Sequence, residues 1–424
     1  MQTESAMREG NPLHGAVDAA TTALQGGLAT IEGVHRAIAR KPFAPLRLAP
    51  GVAEVSEVVR FVHDGVTSLV YGGLRTAVTA AGSAARKTAA LAGDADREIR
   101  PGSAAAMAVA ALNGFAGDRL VREGNPLAAT MGLRHRRRHV PPGRVSLAAA
   151  FPGASPRLAV FVHGLACDES WWRLHAERHY GNRHTTYGTR LRKEFGYTPL
   201  YVRYNTGLHV SDNGRQLARL LDRVVSEWPV PVEELLVVGH SMGGLVSRSA
   251  GHYGREAGDQ WVGKVRHLVF LGSPHLGAPL EKGANVAGWL LGLTDVTRPF
   301  AEVLNGRSVG IKDLRFGSLR DEDWEGADLD ALLANRTGHV PLLDGVRHYF
   351  VAATVTRSPR HPFGLVVGDL LVREPSASSR GHLRHMQFPL ATGRHFGPMH
   401  HFGLLNHPDV YEEIRRWLGN PPQT

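Results

Sequence analysis

Short, almost unbroken apolar runs recur in the second two-thirds of the chain: Leu158–Val162, Pro199–Arg203, Leu235–Gly239, Leu268–Leu271 and Tyr349–Ala353. Runs rich in β-branched and aromatic residues, without polar alternation, predict strands covered on both faces, as in a parallel sheet. Between them the period changes. In 212–228, Leu217, Leu220, Leu221, Val224, Val225 and Trp228 fall at helical spacing, with Asp212 as the expected N-cap. Strand and helix in alternation predict an α/β fold with right-handed crossovers.

Residues up to about 145 follow another pattern. Val52, Val55, Val58, Val59 and Val62 draw one apolar helical stripe, and 68–93 and 102–121 are rich in Ala and Gly. Such small residues let helices approach closely or lie on an apolar surface. The expectation is a helical N-terminal region, 1–145, of unassigned role, followed by a catalytic domain, 146–424. The hexapeptide REGNPL occurs at 8–13 and again at 122–127. Two copies are too few for a solenoid and read as two similar turns begun by Asn-Pro.

Composition narrows the function classes. Lys and Arg outnumber Asp and Glu by 49 to 39, a formal charge of +10. The sharpest cluster is Arg134, Arg136, Arg137 and Arg138, with His135 and His139, beside Pro141, Pro142 and Gly143. It reads as a solvated linker or as a contact for an anionic membrane surface. No zinc-finger spacing or aromatic-interleaved basic pattern accompanies it, so no nucleic-acid partner is expected. A single cysteine, Cys167, excludes an internal disulfide framework and any multi-cysteine metal site. The first twenty residues show no basic segment followed by an apolar one, and no run of 18 apolar residues occurs. A cytoplasmic protein is expected, with or without peripheral membrane contact.

The chemistry centres on Gly239-His240-Ser241-Met242-Gly243, which fits G-x-S-x-G: a sharp strand-to-helix turn that lifts a serine hydroxyl clear of a sheet. A second match, around Ser308, follows no buried strand and precedes a charged segment, so Ser241 is the expected nucleophile. Serine needs a base, an acid to orient that base, and two N–H donors for the oxyanion. The donors fall to Met242, directly after the serine, and to Leu165, after His163-Gly164 at the end of an earlier strand. The order of this fold places the acid after the serine and the base after the acid. Asp369, at a turn between apolar runs, is the expected acid. Asp344 precedes its strand, and Asp321, Asp323, Asp328 and Asp330 read as solvated loop. The tail offers His382, His385, His395, His400, His401 and His407 without compact metal-ligand spacing, so no metal is expected. His401, just before the last helix, leads as base, with His400 and then His407 as competitors.

Six blocks in order, VHGL (162–165), YVRYNTG (201–207), GHSMGGL (239–245), LGSPHLGAPLEK (271–282), GDLLV (368–372) and HFGLL (401–405), make the region from about 146 resemble the α/β-hydrolase superfamily. Within it the resemblance is to bacterial lipase/esterases of the GPI inositol-deacylase-like branch. Leu370 stands where that family commonly has a second glycine. The resemblance implies an α/β-hydrolase fold and hydrolysis of acyl esters or lipids through an acyl-serine, with no cofactor. It also implies a cap over the site at 283–316, where VAGWLLGLTDV would suit acyl chains or form an ordinary packed helix. His163, Gly164, His240, Trp171, His275 and Trp289 are the candidate substrate-lining residues. Trp171, like Trp172, could instead anchor a helix, and His275 is read as structural first. The competing functions are an acyltransferase with the same triad and a non-catalytic lipid- or membrane-binding protein.

Overall fold

The computed structural model describes residues 104–136, 138–277, 307–326, 338–357, 369 and 392–419, together with 25, 32, 72, 75 and 79. The chain forms two compact units, Met1–Leu112 and Asn113–Thr424. In the first, Arg75 pairs with Glu32, and the Gln25 amide donates to Thr79 at 2.7 Å. The Val52–Val62 stripe, Arg137, Trp289, Asp328, Asp330, Leu370, His382 and His385 lie outside the described residues, as does 283–306 of the expected cap.

The second unit is built on an eight-stranded sheet. Its strands are β1 (Gly132–His135), β2 (Arg138–Val140), β3 (Arg157–Val162), β4 (Thr198–Arg203), β5 (Glu234–His240), β6 (Val265–Leu271), β7 (Arg347–Ala353) and β8 (Gly393–Phe396). They lie in the order β2-β1-β4-β3-β5-β6-β7-β8. The pairs β2–β1 and β1–β4 are antiparallel, and every pair from β4 to β8 is parallel. This is the expected α/β-hydrolase type of architecture. The five predicted strands fall on β3 to β7.

The apolar runs are explained by two cores, one on each face of the sheet. On one side Leu158, Val160 and Val162 pack with Leu217, Leu221, Leu245 and Val246. On the other, Ala159 and Phe161 pack with Leu191, Val410, Ile414 and Trp417. The helices delimited among the described residues are α1 (Ala104–Arg122, broken at Ala116), α2 (Arg144–Ala150), α3 (Ala176–Tyr180), α4 (Tyr187–Phe195), α5 (Val210–Glu227), α6 (Met242–Ala257), α7 (Val309–Asp313) and α8 (Pro408–Gly419). None of the described helices is long and apolar enough to cross a membrane.

Three expectations are corrected. The arginine cluster is not a linker: Arg134 and His135 belong to β1 and Arg138 begins β2, with Arg136 at the turn between them. The sheet therefore begins before residue 146. These strands escaped notice because they are three or four residues long and sit at or near the sheet edge, where one face meets water and no apolar run is required. The cap of α5 is His209, not Asp212, since the helix begins two residues earlier, at Val210. Finally, Asp323 is not solvated: it is buried and accepts hydrogen bonds from the backbones of Leu319 at 2.9 Å and Gly338 at 2.8 Å.

Candidate active site

The carboxyl ends of β3, β5, β6, β7 and β8 carry the loops on which the candidate residues stand, the usual location for a site in such a sheet. The tightest is the turn from β5 into α6. Ser241 sits there at φ 54° and ψ −124°, a backbone conformation that side-chain-bearing residues rarely adopt. Its N–H donates to the Leu271 carbonyl at 2.8 Å, which ties the turn to the neighbouring strand. The flanking glycines are steric necessities. A Cβ at Gly239 would lie 2.6 Å from the Gly244 Cα, and one at Gly243 would collide with the carbonyls of Val162 and His163. The strained serine is thus wedged between two strands and a helix that glycine alone lets approach.

Ser308, the other pattern match, does something different. It is fully buried, caps α7 by accepting from Ile311 N, and donates to the Gly114 carbonyl at 2.6 Å. This end of the expected cap, residues 307–316, is packed into the body, with Leu314 in the core.

His401 opens a short 3-10 turn, His401–Leu404, after β8. Its Nδ1 is 2.7 Å from the Asp369 Oδ2, and its backbone N–H donates to the Asp369 carbonyl at 2.9 Å. Both residues are buried, the carboxylate completely. The Nε2 of His401 is buried and has no hydrogen-bond partner among the described residues. Its ring lies 4.7 Å from that of His240, the residue before Ser241, and a Cβ at Gly272 would come within 3.1 Å of its Cε1. Ser241, His401 and Asp369 are therefore gathered at one end of the sheet.

The competitors are engaged elsewhere. His400 is exposed and caps the 3-10 turn, its Nδ1 accepting from Gly403 N at 3.2 Å. His407 Nδ1 accepts from Asp409 N, and its ring packs 4.9 Å from His179. Asp344 is exposed at the turn before β7.

The loop after β3 passes beside the serine. A Cβ on Gly164 would lie 3.0 Å from the Ser241 Cβ. Leu165 follows it, and neither its N–H nor that of Met242 finds a protein acceptor among the described residues. His163 is buried and stacks on Tyr204 at 4.4 Å. Burial lowers its pKa, and burial followed by the charge of His401 holds His240 well below the usual imidazole range. Both rings are thus neutral at pH 7 and place no cation beside the serine. Burial, then Asp168, pushes the Cys167 thiol up, so the lone cysteine is not a thiolate.

Trp171 is half-buried and leans on Phe402 at 5.1 Å, next to His401, whereas Trp172 is buried against Phe161 and anchors the segment. His275 is buried with its ring 4.8 Å from Phe270, which suits the structural reading. Asn406 had no sequence signal. At φ 55°, its amide donates to the carbonyls of Trp172 at 2.6 Å and Leu174 at 3.0 Å and accepts from Tyr187 N, stitching the tryptophan segment to the histidine loop. Among the described residues no group of acidic, histidine or cysteine side chains is arranged to hold a metal.

Comparison with known proteins finds a family match over part of the chain. Residues 156–328 match the family model of the PGAP1-like alpha/beta domain. The PGAP1-like segment includes β3, the Gly164–Leu165 loop and the Ser241 turn, and ends before Asp369 and His401. No curated protein sequence matches the chain. Among solved structures, the mature Bacillus licheniformis lipase BlEst2 is 17% identical with a TM-score of 0.38, covering 63% of this chain and 92% of that one. The Pyrococcus furiosus esterase is 14% identical with a TM-score of 0.33, covering 63% and 83%. The Legionella pneumophila phospholipase PlaB is 15% identical with a TM-score of 0.30, covering 53% and 46%.

Proposed function

We propose that the chain is a serine hydrolase of carboxylic esters, with Ser241 as nucleophile, His401 as base and Asp369 as its orienting acid. The observation that carries this reading is the buried His401–Asp369 pair, 2.7 Å apart, whose imidazole keeps Nε2 unpartnered among the described residues at the end of the sheet where Ser241 is held in a strained turn.

With Nδ1–H donated to Asp369, the lone pair of His401 lies on Nε2, which suits it to take the Ser241 proton. Ser241 Oγ then bonds to the ester carbonyl carbon, and the N–H groups of Leu165 and Met242 receive the developing oxyanion. His401 returns the proton to the leaving alkoxide as the C–O bond breaks, leaving an acyl-serine. Water, deprotonated by the same Nε2, attacks that ester, and the acid departs as Ser241 regains its proton. Each oxyanion donor is worth roughly 10²–10³ in rate in comparable sites. The apolar half-face of Trp171 beside Phe402 favours the acyl part of an ester or lipid. The cationic hairpin of β1 and β2 favours delivery from an anionic lipid surface.

Ser241→Ala is expected to abolish turnover of p-nitrophenyl butyrate and labelling by a fluorophosphonate while the far-UV spectrum is unchanged. Turnover or labelling at the level of the native chain would overturn the assignment.

A further inference from the structure

The expected oxyanion donor Leu165 belongs to a loop that contributes no regular secondary structure of its own, yet its amide must point within a few tenths of an ångström of one spot. Within the loop the Gly164 carbonyl accepts from Cys167 N at 3.3 Å and lies 3.0 Å from His163 Nδ1, and the end of β4 and the turn after it supply the further constraint. Tyr204 Oη donates to the His163 carbonyl at 2.7 Å. Thr206 Oγ1 accepts from the Ala166 N–H at 3.1 Å. Arg203 grips Glu169 with two parallel bonds, Nε at 2.7 Å and Nη2 at 2.6 Å. The His163–Gly164 peptide and the Leu165–Ala166 peptide are therefore each pinned, and the Gly164–Leu165 peptide, which carries the donor, is the only one between them. Ala166 is held at φ 57°, a conformation alanine leaves readily unless something retains it.

Thr206 is itself immobilised. It is buried, and the neighbouring Asn205 donates to the Gly117 carbonyl at 3.0 Å and accepts from Gly207 N at 2.9 Å. Asn213 Nδ2 donates to the Asn205 carbonyl at 2.9 Å, and Gly310 N to that of Gly207 at 3.1 Å. The anchor is thus rigid, and the loop it holds has a strained residue directly after the donor residue.

Building on the hydrolase reading, we infer that Thr206 is a positioning residue for the oxyanion hole: its hydroxyl holds the Ala166 amide and so aims the Leu165 N–H. The interaction reports on the transition state because the donor serves the tetrahedral oxyanion more than the ground-state ester.

Thr206→Val keeps shape and removes the acceptor; Thr206→Ser keeps the acceptor and removes a methyl. In the full chain, Thr206→Val is expected to lower kcat for p-nitrophenyl butyrate about 10- to 100-fold, a part of what loss of a whole oxyanion donor costs. KM should stay within about twofold, and Thr206→Ser should restore kcat to within about threefold of the native value. If the valine variant fails to fold by circular dichroism, Thr206→Ala carries the same expectation. Native kcat in the folded acceptor-free variant, a change confined to KM, or a serine variant as impaired as the valine one would each overturn the inference. Fluorophosphonate labelling of the native chain and its loss in Ser241→Ala keep the two readings apart. If labelling follows Ser241 and Thr206→Val is fully active, only the positioning role falls. If Ser241→Ala is active, the hydrolase reading falls first.

Discussion

A serine at φ 54° and ψ −124° bears roughly 1–3 kcal/mol of backbone strain, offset here by its bond to Leu271 and by the packing of α6 against β3 and β5. Glycine at 239 and 243 is legible in the sequence because the steric demand falls on those very positions. The histidine was less legible. His400 and His401 are adjacent, and the position before the last helix favours His401 without excluding His400. The choice is made by Asp369, which takes both the Nδ1 and the backbone N–H of His401, and by the 3-10 turn, which takes the ring of His400 as its cap. His401→Ala should lower kcat by about 10⁴- to 10⁶-fold, as loss of a triad histidine does. His400→Ala should stay within about tenfold, since capping is a matter of roughly 1 kcal/mol. Steady-state kinetics on both variants checks this, and the reverse ranking would move the base to His400.

Elements differ in how clearly they announce themselves. Strands β3, β5, β6 and β7 are buried over most of their length and needed near-continuous apolar runs, and β4 carries a shorter one, so the pattern found all five. Strands β1, β2 and β8 needed none, because their polar residues face water and only pairing with a neighbour makes them strands. The hairpin shows what that concealed: Arg136 and Arg138 are exposed on it, and Val145 in the following helix is 84% exposed. A cationic edge beside an exposed apolar side chain suits an anionic bilayer surface, where each arginine contributes about 1 kcal/mol. The native chain is expected to co-sediment with phosphatidylserine-containing vesicles at low salt and to be released as salt rises. Arg136→Glu with Arg138→Glu should abolish that binding. Equal sedimentation with neutral phosphatidylcholine vesicles would sink the membrane contact.

At the scale of the whole molecule, burial also sets the response to pH. His267 and His348 are held to about 4, chiefly by burial, whereas an unfolded histidine titrates near 6.5. Between those values the unfolded chain binds more protons, so stability is fully present above pH 6.5 and is lost as pH falls toward 4. Urea midpoints should decline through that window, and His348→Phe should make the decline shallower. A midpoint independent of pH from 7 to 4.5, or one that rises, would contradict the assignment of these rings as neutral. The same burial explains Asp323, a carboxylate in a polar stretch that is drawn inside because three backbone N–H groups converge on it.

What the sequence determined alone were features enforced by near neighbours in the chain: the apolar strands of the sheet interior and the glycine-flanked serine. These are local because sterics and hydrophobic periodicity act over a few residues. Tertiary structure alone decided which short polar segments join the sheet, that the ring of His400 caps a turn, and how Tyr204, Thr206 and Arg203 hold a loop some forty residues earlier. Such pairings are made between atoms distant in sequence, and a hydrogen bond leaves no periodic trace along the chain that forms it.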